Sequence, residues 1–317
     1  MSRVRSEVVK AISKKIFVNL LILIVILFMI IAITGIPLDF NIITYNGIST
    51  PNMTMSQIGD SIKTNFRIFL SGQALSIKVQ GDTVGQLLLK TAGKSAVILV
   101  GGAILALIIG IPKGIIDSRK RDRSGTLKLM QSLIPLSIPD ILTVVLVQLG
   151  ALYLYKNQIS FLGLGVIPSV GDANLLNAIY PIISMAVLPA AYISRVTATT
   201  IEENFEKPFV LAARGKGCSR FQIIKNHMMK SIGYEILSSF PTIIGIMFST
   251  LIVVERLFFY RGMGFYLIFL YTTDIIKPFE AGIAFTTFIV ALAIFYYIIF
   301  MIFNMVKDII LPKVKAH

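Results

Sequence analysis

The sequence has few charged residues and few of the side chains that bind metals or form disulfides. Only 15% of its 317 residues are charged, whereas 55% are hydrophobic. A water-soluble chain of this length needs more polar residues to cover its surface, so a soluble enzyme is disfavoured. The single cysteine, Cys218, excludes an internal disulfide. Two histidines, His227 and His317, leave too few ligands for a Cys/His metal site, and we predict none.

Nucleotide-binding motifs are also missing. Gly93-Lys94-Ser95 resembles the end of a phosphate-binding loop, but Leu88 occupies the position of the first glycine in that motif. Gly262-Met263-Gly264 lacks a preceding strand-and-helix context, which argues against a dinucleotide-binding fingerprint. We therefore expect no nucleotide-binding loop in this chain.

Long apolar runs take up most of the sequence. The first, residues 16–35, contains no charged residue and follows five basic residues. It is longer than the apolar part of a signal peptide, about 7–15 residues, and long enough to cross a bilayer core of about 30 Å, so we predict an uncleaved first span. Five more runs reach spanning length, and the sequence therefore predicts an all-α polytopic membrane protein with six transmembrane helices: 95–116, 129–155, 177–193, 236–254 and 281–305.

The basic residues indicate an orientation in the membrane. There are 30 Lys and Arg against 16 Asp and Glu, a formal net charge of +14, and the basic residues form short clusters between the apolar runs. The six predicted spans place 21 of them on one side and 9 on the other. Because basic residues are enriched in cytoplasmic loops, we predict that both termini are cytoplasmic. This distribution favours membrane orientation over nucleic-acid binding.

Small residues and prolines within the spans indicate a packed bundle. Gly102, Ala106, Gly110 and Gly114 recur every four residues, which places them on one helix face where a second helix can approach closely. Prolines that interrupt or flank spans favour a transporter or channel over a passive anchor: Pro112, Pro135, Pro139, Pro181, Pro189 and Pro241.

Asp140 is the one acid deep within a predicted span, about eleven residues into the third run. A carboxylate in the membrane is costly unless it faces a polar cavity or a partner, so Asp140 is a candidate for the substrate pathway. The alternative is structural: Asp140 pairs with a hydroxyl or an arginine of an adjoining helix and orients it. The sequence leaves both open.

The cytoplasmic segment 195–235 is too long for a simple turn and has helical periodicity in two pieces. The first runs from Glu202 to Arg214, and the break falls at Gly215-Lys216-Gly217. The second opens with an S-x-x-Q capping box at Ser219 and carries one stripe of residues: Phe221, Ile224, His227 and Met228. Two short amphipathic helices joined by a glycine corner predict a docking surface for a soluble partner.

Several motifs then resemble one family. Residues 209–217, Phe-Val-Leu-Ala-Ala-Arg-Gly-Lys-Gly, followed by His-Met-Met-Lys at 227–230, resemble the EAA loop of ABC-importer permeases. The resemblance is strongest to the oligopeptide, dipeptide and nickel branch, whose signature runs Y-V-x-T-A-R-A-K-G and then R-H-A-L-R-N. Residues 253–264 resemble that branch's I-V-E-x-I-F…P-G-L-G. Residues 273–278 and 304–308 resemble its final external segment and last helix, so the resemblance extends over essentially the whole chain.

Four residues, at three sites, depart from the family pattern. Leu211 stands where the general EAA pattern has glutamate, although this branch usually lacks that glutamate. Arg261 replaces the proline before Gly-x-Gly, and Lys230-Ser231 replaces the arginine and asparagine after the histidine. The chain therefore resembles a divergent member.

The resemblance implies an ABC type I importer permease in a bacterial inner membrane. One span followed by a long external segment is similar to the B-type subunit, which pairs with a C-type permease. In such systems an extracytoplasmic binding protein delivers substrate and two cytoplasmic ATPases use ATP and Mg²⁺, so this chain would have no catalytic residue and no cofactor. The ATPase-coupling residues would be Leu211, Ala212, Ala213, Arg214, Gly215, Lys216, Gly217 and His227.

The external segments give a domain division. We expect a cytoplasmic N-terminus and first span over 1–35, an external cap over 36–94, and a five-helix core over 95–317. The cap either contacts the binding protein or is a structural lid. Residues 255–280 are apolar but too short to span, which predicts a re-entrant or interfacial element near the pore mouth. The external gate region would contain Glu255, Arg261, Gly262 and Gly264.

The substrate is the least constrained feature. Peptides are the majority use in the family that this chain resembles, whereas nickel chelates and other metallophores are the alternative. The residues disfavour two further classes of membrane protein. An ion channel would need a filter of charges or carbonyls, which no span shows, and a secondary transporter working alone is disfavoured because no inverted repeat is evident.

Overall fold

The structure, a computed structural model, describes residues 2–38, 40–45, 48–118, 138–273 and 275–310. It is mainly helical and contains five helices that are long and apolar enough to cross a membrane: Ile16–Thr34, Val84–Asp117, Leu175–Phe205, Arg220–Leu257 and Pro278–Lys307. The chain is therefore a multi-pass membrane protein. Pro135 and His317 lie outside the described residues.

The helices are numbered here in chain order. They are α1 Ser2–Thr34, α2 Met55–Leu70, α3 Val84–Asp117, α4 Asp140–Lys156, α5 Ile179–Phe205, α6 Pro208–Gly215, α7 Arg220–Leu257, α8 Met263–Thr272 and α9 Pro278–Ile310. The strands β1 Ile42–Tyr45 and β2 Ile48–Pro51 form an antiparallel hairpin with Ile42 opposite Pro51. The short strands β3 Lys78–Val79 and β4 Asp82–Thr83 pair in the same way.

Five of the six predicted spans correspond to these long helices. The other, 129–155, begins outside the described residues, and its described part is α4 with 17 residues. The second span begins earlier than predicted, because α3 starts at Val84 rather than at residue 95. Three of the prolines do not interrupt helices: Pro112, Pro189 and Pro241 lie inside continuous α3, α5 and α7. Neighbouring groups in a membrane bundle satisfy the carbonyls that proline leaves unpaired.

The chain divides into two compact units, one of which comprises Met1–Lys90 and Tyr266–Ile298. In this unit the end of α1 packs on α2. The Ser61 hydroxyl donates to the carbonyl of Gly35 (3.0 Å), and the rings of Phe28 and Phe66 lie 4.8 Å apart. A capping box of Thr54 and Gln57 begins α2. The predicted cap, 36–94, thus contains a hairpin, an amphipathic helix and the first turns of α3.

The other unit comprises Thr91–Phe265 and Ile299–His317. Its α3 and α5 pack closely along the small-residue face. A Cβ atom at Gly110 would lie 2.8 Å from the carbonyl oxygen of Ala190, and one at Gly102 would lie 2.6 Å from Cγ of Met185. Ala106 on the same face is fully buried. The predicted packing face is therefore confirmed. The three-part division 1–35, 36–94 and 95–317 stays a prediction.

Candidate functional site

The first part of the cytoplasmic segment folds differently from the prediction. A single helical piece from Glu202 to Arg214 is wrong, because α5 ends at Phe205 and a separate helix, α6, begins at Pro208. Proline disfavours helical geometry in the residue before it, and Lys207 is accordingly extended, with φ −81° and ψ 146°. Pro208 itself occupies the first turn of α6, where its missing N–H costs nothing.

The helix of the second part starts as predicted but is much longer than predicted. The Ser219 capping box is confirmed: the Ser219 N–H donates to Oε1 of Gln222 (2.8 Å) and the Gln222 N–H donates to the Ser219 hydroxyl (3.3 Å). The prediction of a short separate helix is wrong, because α7 continues through a π-helical turn at Ile224–Met228 into the long apolar helix that ends at Leu257. The predicted stripe also divides: Ile224 and Met228 are buried, whereas Phe221 and His227 are exposed.

The glycine corner depends on one of its two glycines. Gly217 has φ +80°, a left-handed conformation that glycine adopts without steric cost, whereas Gly215 is the last residue of α6 and does not have a positive φ. The Gly217 N–H donates to the carbonyl of Arg214 (2.9 Å), and the Cys218 N–H donates to the carbonyl of Ala213 (3.1 Å). These bonds satisfy carbonyls at the end of α6 and fix the turn into α7.

Seven of the eight predicted coupling residues, 211–217, lie at the end of α6 and in this corner, whereas His227 lies in the π-helical turn of α7; only one of the eight is buried. Ala213 is 6% exposed, while Leu211 is 59% exposed. The others are also exposed: Ala212, Arg214, Gly215, Lys216, Gly217 and His227. We define the coupling surface as the exposed apolar side chains Phe209, Leu211 and Phe221 with the basic residues Arg214 and Lys216. It combines apolar area with positive charge.

Asp140 is the first residue of α4, directly after the N-cap residue Pro139. It therefore begins a helix, where a negative charge is favourable, and does not lie within one. Its Oδ2 accepts hydrogen bonds from the hydroxyls of Thr250 (3.2 Å) and Ser249 (3.3 Å) on α7. A hydroxyl pairing of this kind is the structural alternative left open by the sequence, and a role in the substrate pathway stays a prediction.

Glu255 is fully buried near the end of α7 and caps the start of α8. Its Oε2 accepts from the N–H groups of Gly264 (2.7 Å) and Phe265 (3.2 Å), and its Oε1 accepts from the hydroxyl of Ser95 (2.6 Å). The Ser95 hydroxyl in turn accepts from the N–H of Met263 (2.9 Å). The first three N–H groups of α8 thus find acceptors, and the carboxylate lies at the favourable end of that helix.

The two glycines of Gly262-Met263-Gly264 are required by this close approach. A Cβ atom at Gly262 would overlap the carboxylate of Glu255, and one at Gly264 would lie 2.7 Å from Cα of Ile252. The second neighbour is backbone and cannot rotate away. The motif therefore brings the start of α8 against α7, with the carboxylate between them.

Arg261 forms part of an ion-pair cluster beside this turn. Its Nε and Nη2 donate to both carboxylate oxygens of Asp172 at 2.8 to 3.1 Å, and Lys94 pairs with the same carboxylate. The Asp172 side chain is only 4% exposed, whereas that of Arg261 is 59% exposed. Burial raises the pKa of Asp172, but the hydrogen bonds and charges of Arg261 and Lys94 outweigh it and hold the pKa below its ordinary value.

Sequence reasoning missed three residues of this region: Lys94, Ser95 and Asp172. The first two were considered only as a failed phosphate-binding loop, and Asp172 carried no motif. Ser95 lies 160 positions from Glu255 in the sequence, and Lys94 lies 78 positions from Asp172. The one available signal was the polar pair at 94–95, at the start of the apolar run predicted from residue 95.

Comparison with known proteins assigns the family. The family described as binding-protein-dependent transport system inner membrane component matches residues 102–316. The chain belongs to this family, and it is a membrane component of a binding-protein-dependent transport system. This match decides in favour of that class over an ion channel or a secondary transporter working alone.

Two relatives illustrate the similarity. The chain is 24% identical over 248 residues to the dipeptide transport system permease protein DppB of Bacillus subtilis, covering 76% of this chain and 74% of the relative. It is 24% identical over 162 residues to the glutathione transport system permease protein GsiC of Shigella flexneri, covering 51% of this chain and 50% of the relative. The resemblance to the peptide branch of ABC-importer permeases is thereby confirmed.

Proposed function

We propose that this chain is one of two pore-forming subunits of an ATP-driven importer of short peptides. The family supplies the general role, and the relatives named for dipeptide and glutathione transport support a peptide substrate. Nickel chelates and other metallophores are the alternative within the same family. Catalysis belongs to partner ATPases that bind ATP and Mg²⁺, and this chain holds no cofactor.

The coupling surface is the observation that carries this proposal. Leu211 and Phe221 are 59% and 56% exposed at a corner that lies between the long apolar helices α5 and α7. Exposed apolar side chains beside Arg214 and Lys216 would fit a groove on a partner protein that is apolar at its base and acidic at its edge. Such a groove on one of the two ATPases would receive this corner and move with it during the ATP cycle.

The fixed corner supports transmission of that movement. The capping box at Ser219 and the left-handed turn at Gly217 hold the short helix α6 in one orientation relative to α7. Because α7 continues without a break to Leu257, a displacement of α6 acts directly on a membrane helix. A flexible linker in this place would absorb the movement.

The external turn is the proposed gate region. The Glu255 cap joins the end of α7 to α8, a 10-residue apolar helix that is too short to span. Displacement of α7 would therefore carry the start of α8 with it, together with Arg261 and Gly262. In this proposal the residues of the gate region hold α8 in place, and none of them has a catalytic role.

The topology and partners complete the proposal. Six spans with both termini in the cytoplasm put the coupling surface on the side of the ATPases, which agrees with the excess of basic residues there. The complex would contain this chain, a homologous second permease, two ATPases and an extracytoplasmic binding protein in a bacterial inner membrane. The segment 36–94 would contact the binding protein.

Purification and transport together test the proposal. The tagged chain is extracted in mild detergent from native membranes, and the complex is reconstituted in vesicles with a labelled dipeptide or with Ni²⁺. We expect a second permease and ATPases to copurify, and dipeptide uptake to require ATP and the binding protein. Purification of this chain alone, with uptake driven by an ion gradient, would contradict the proposed function. ATP-dependent uptake of Ni²⁺ without dipeptide uptake would contradict only the substrate.

A further inference from the structure

Arg220 occupies an unusual position at the cytoplasmic end of the molecule. It is the first residue of α7, yet its Nη2 donates to the carbonyl oxygen (3.0 Å) and the hydroxyl (3.1 Å) of Ser118, immediately after the end of α3. Ser118 is 3% exposed. A positive charge is unfavourable at the N-terminal end of a helix and favourable at the C-terminal end. The charge of Arg220 therefore stabilises the end of α3 and not the start of α7.

The same guanidinium also contacts the ring of Phe205, the last residue of α5. The Cζ atom of Arg220 lies 4.3 Å from the ring centroid, and that of Arg214 lies 5.0 Å from the same centroid. Arg214 belongs to the coupling surface. One aromatic ring therefore joins the short helix α6 to the start of α7 by two cation–π contacts.

The end of α3 is in turn fixed to α5. Oδ2 of Asp117 accepts from the hydroxyl of Ser194 (3.2 Å), and a Cβ atom at Gly114 would lie only 2.5 Å from the carbonyl oxygen of Ser194. Closely packed small residues leave no gap that would absorb a relative displacement. A force applied to the end of α3 is thus passed to the packed pair of α3 and α5.

We infer that Arg220 is a positioning residue that transmits movement of the coupling surface to α3. This inference rests on the proposed function and adds a second route to the direct one through α7. The contacts run from Arg214 to Phe205, then to Arg220, and from its guanidinium to Ser118. Arg220 itself binds neither ATPase nor substrate, and it acts by holding α6 and α3 together as one body.

The main test replaces arginine by lysine. Arg220→Lys keeps the positive charge at the end of α3, which preserves the fold, but it loses the planar fork that contacts Ser118 while lying on a ring. We expect ATPases to copurify as with wild type. Stimulation of ATP hydrolysis by loaded binding protein and peptide uptake should both fall about tenfold, within the range of ordinary coupling between sites.

A matched control separates this effect from a general loss of arginine. Arg195→Lys makes the same chemical change at an exposed position of α5 in the same cytoplasmic segment. It should leave uptake at the wild-type level. A second variant, Phe205→Leu, keeps apolar bulk but removes the ring face, and it should reproduce a part of the loss without changing copurification.

A distance measurement supplies a readout independent of activity. Spin labels at Ile116 on α3 and at Lys207, the N-cap residue of α6, are introduced in a Cys218→Ser background of the reconstituted complex; both positions are exposed and lie outside the coupling surface. The distance between them should be the same in the nucleotide-free and ATP-trapped states of the wild type. In Arg220→Lys it should differ between the two states, because the corner then moves without α3.

Three results would overturn the inference: wild-type uptake and stimulation in Arg220→Lys, loss of ATPase copurification in that variant, or a label distance that changes with nucleotide in the wild type. The second result would make Arg220 part of the docking surface. None of these results by itself contradicts the proposed function. That function fails on different results, namely purification of this chain without ATPases and uptake driven by an ion gradient.

Discussion

Replacement of Gly217 by valine tests whether the glycine corner couples ATP hydrolysis to transport. A Cβ atom at this position would meet nothing within 4 Å among the described residues, so the substitution creates no overlap with them. The cost comes instead from the backbone, because φ is +80° and a β-branched residue is poorly tolerated there. The added side chain also occupies the exposed surface that the ATPase approaches.

The size of the effect follows from the backbone strain. A left-handed conformation costs a residue with a Cβ atom about 1–2 kcal/mol relative to the right-handed one. A penalty of this size reduces the population of the correct corner about 5–30-fold if the turn relaxes to another conformation. We expect peptide uptake in Gly217→Val to fall by a similar factor, while the permease still inserts because no membrane helix is changed.

Two further variants separate strain from crowding. Gly215→Val adds the same side chain to the same exposed corner, but Gly215 does not have a positive φ. The valine would therefore occupy space near the ATPase without straining the turn at Gly217. Gly217→Asn adds a side chain that tolerates the left-handed conformation. If strain dominates, Gly217→Asn and Gly215→Val transport better than Gly217→Val. If crowding dominates, all three variants lose uptake together.

The assay is reconstitution of each variant complex in vesicles, with uptake and ATP hydrolysis measured in the same preparation. Loaded binding protein should stimulate hydrolysis in the wild type and not in Gly217→Val, because the mechanical link is damaged. Wild-type uptake together with wild-type stimulation in Gly217→Val would refute this reasoning. The corner would then not be the coupling element.

Three other substitutions test the membrane and external parts. Gly110→Leu should reduce the amount of assembled complex on native gels, because a Cβ atom there would already lie 2.8 Å from the carbonyl oxygen of Ala190. Overpacking of this kind costs about 1–3 kcal/mol. Unchanged assembly would contradict the close packing of this helix face. Gly264→Ala should lower the melting temperature by displacing α8 from the Glu255 cap, and an unchanged value would contradict the close approach. Asp140→Asn should alter uptake or substrate preference with assembly retained if the carboxylate lines the pathway, whereas lost assembly would support the orienting role.

The parts of the fold that the sequence predicted correctly depend on short-range patterns. The small-residue face of α3 repeats every four residues, and the Ser219 capping box uses two side chains three positions apart. Both features are set by the geometry of a single helix, so they can be predicted without knowledge of the rest of the chain. The apolar runs are visible for a similar reason, because bilayer thickness fixes their length.

The errors in the cytoplasmic segment come from treating periodicity as more decisive than a single proline. The polar and apolar pattern continues from Glu202 to Arg214, but Pro208 prevents one helix from covering it. The second helix was predicted too short, because the pattern gave no reason to extend it into the membrane. The helix α7 continues through a π-helical turn at Ile224–Met228, and the sequence pattern does not reveal that turn.

The contacts of the external turn could not be predicted, because they join residues that are distant in the chain. Glu255 was selected through a family motif, but its partner Ser95 is 160 positions away and Asp172 had no local signal at all. Buried carboxylates require hydrogen bonds or charges, which implies that partners exist without identifying them. These residues come together only when α3, α7, the start of α8 and the segment before α5 that contains Asp172 pack against one another.

The departure at Arg261 shows how such a turn tolerates sequence change. A proline before Gly-x-Gly restricts the entry to α8 through its ring, which fixes φ. Arg261 lacks that restriction, but its guanidinium contacts both oxygens of Asp172, so the side chain is fixed from outside the turn. An exposed ion pair alone would contribute little, about 0–1 kcal/mol. Here the carboxylate is almost completely buried, and removal of the arginine would leave it with Lys94 as its remaining cation among the described contacts. The ion pair with this buried carboxylate therefore fixes the Arg261 side chain at the entry to α8.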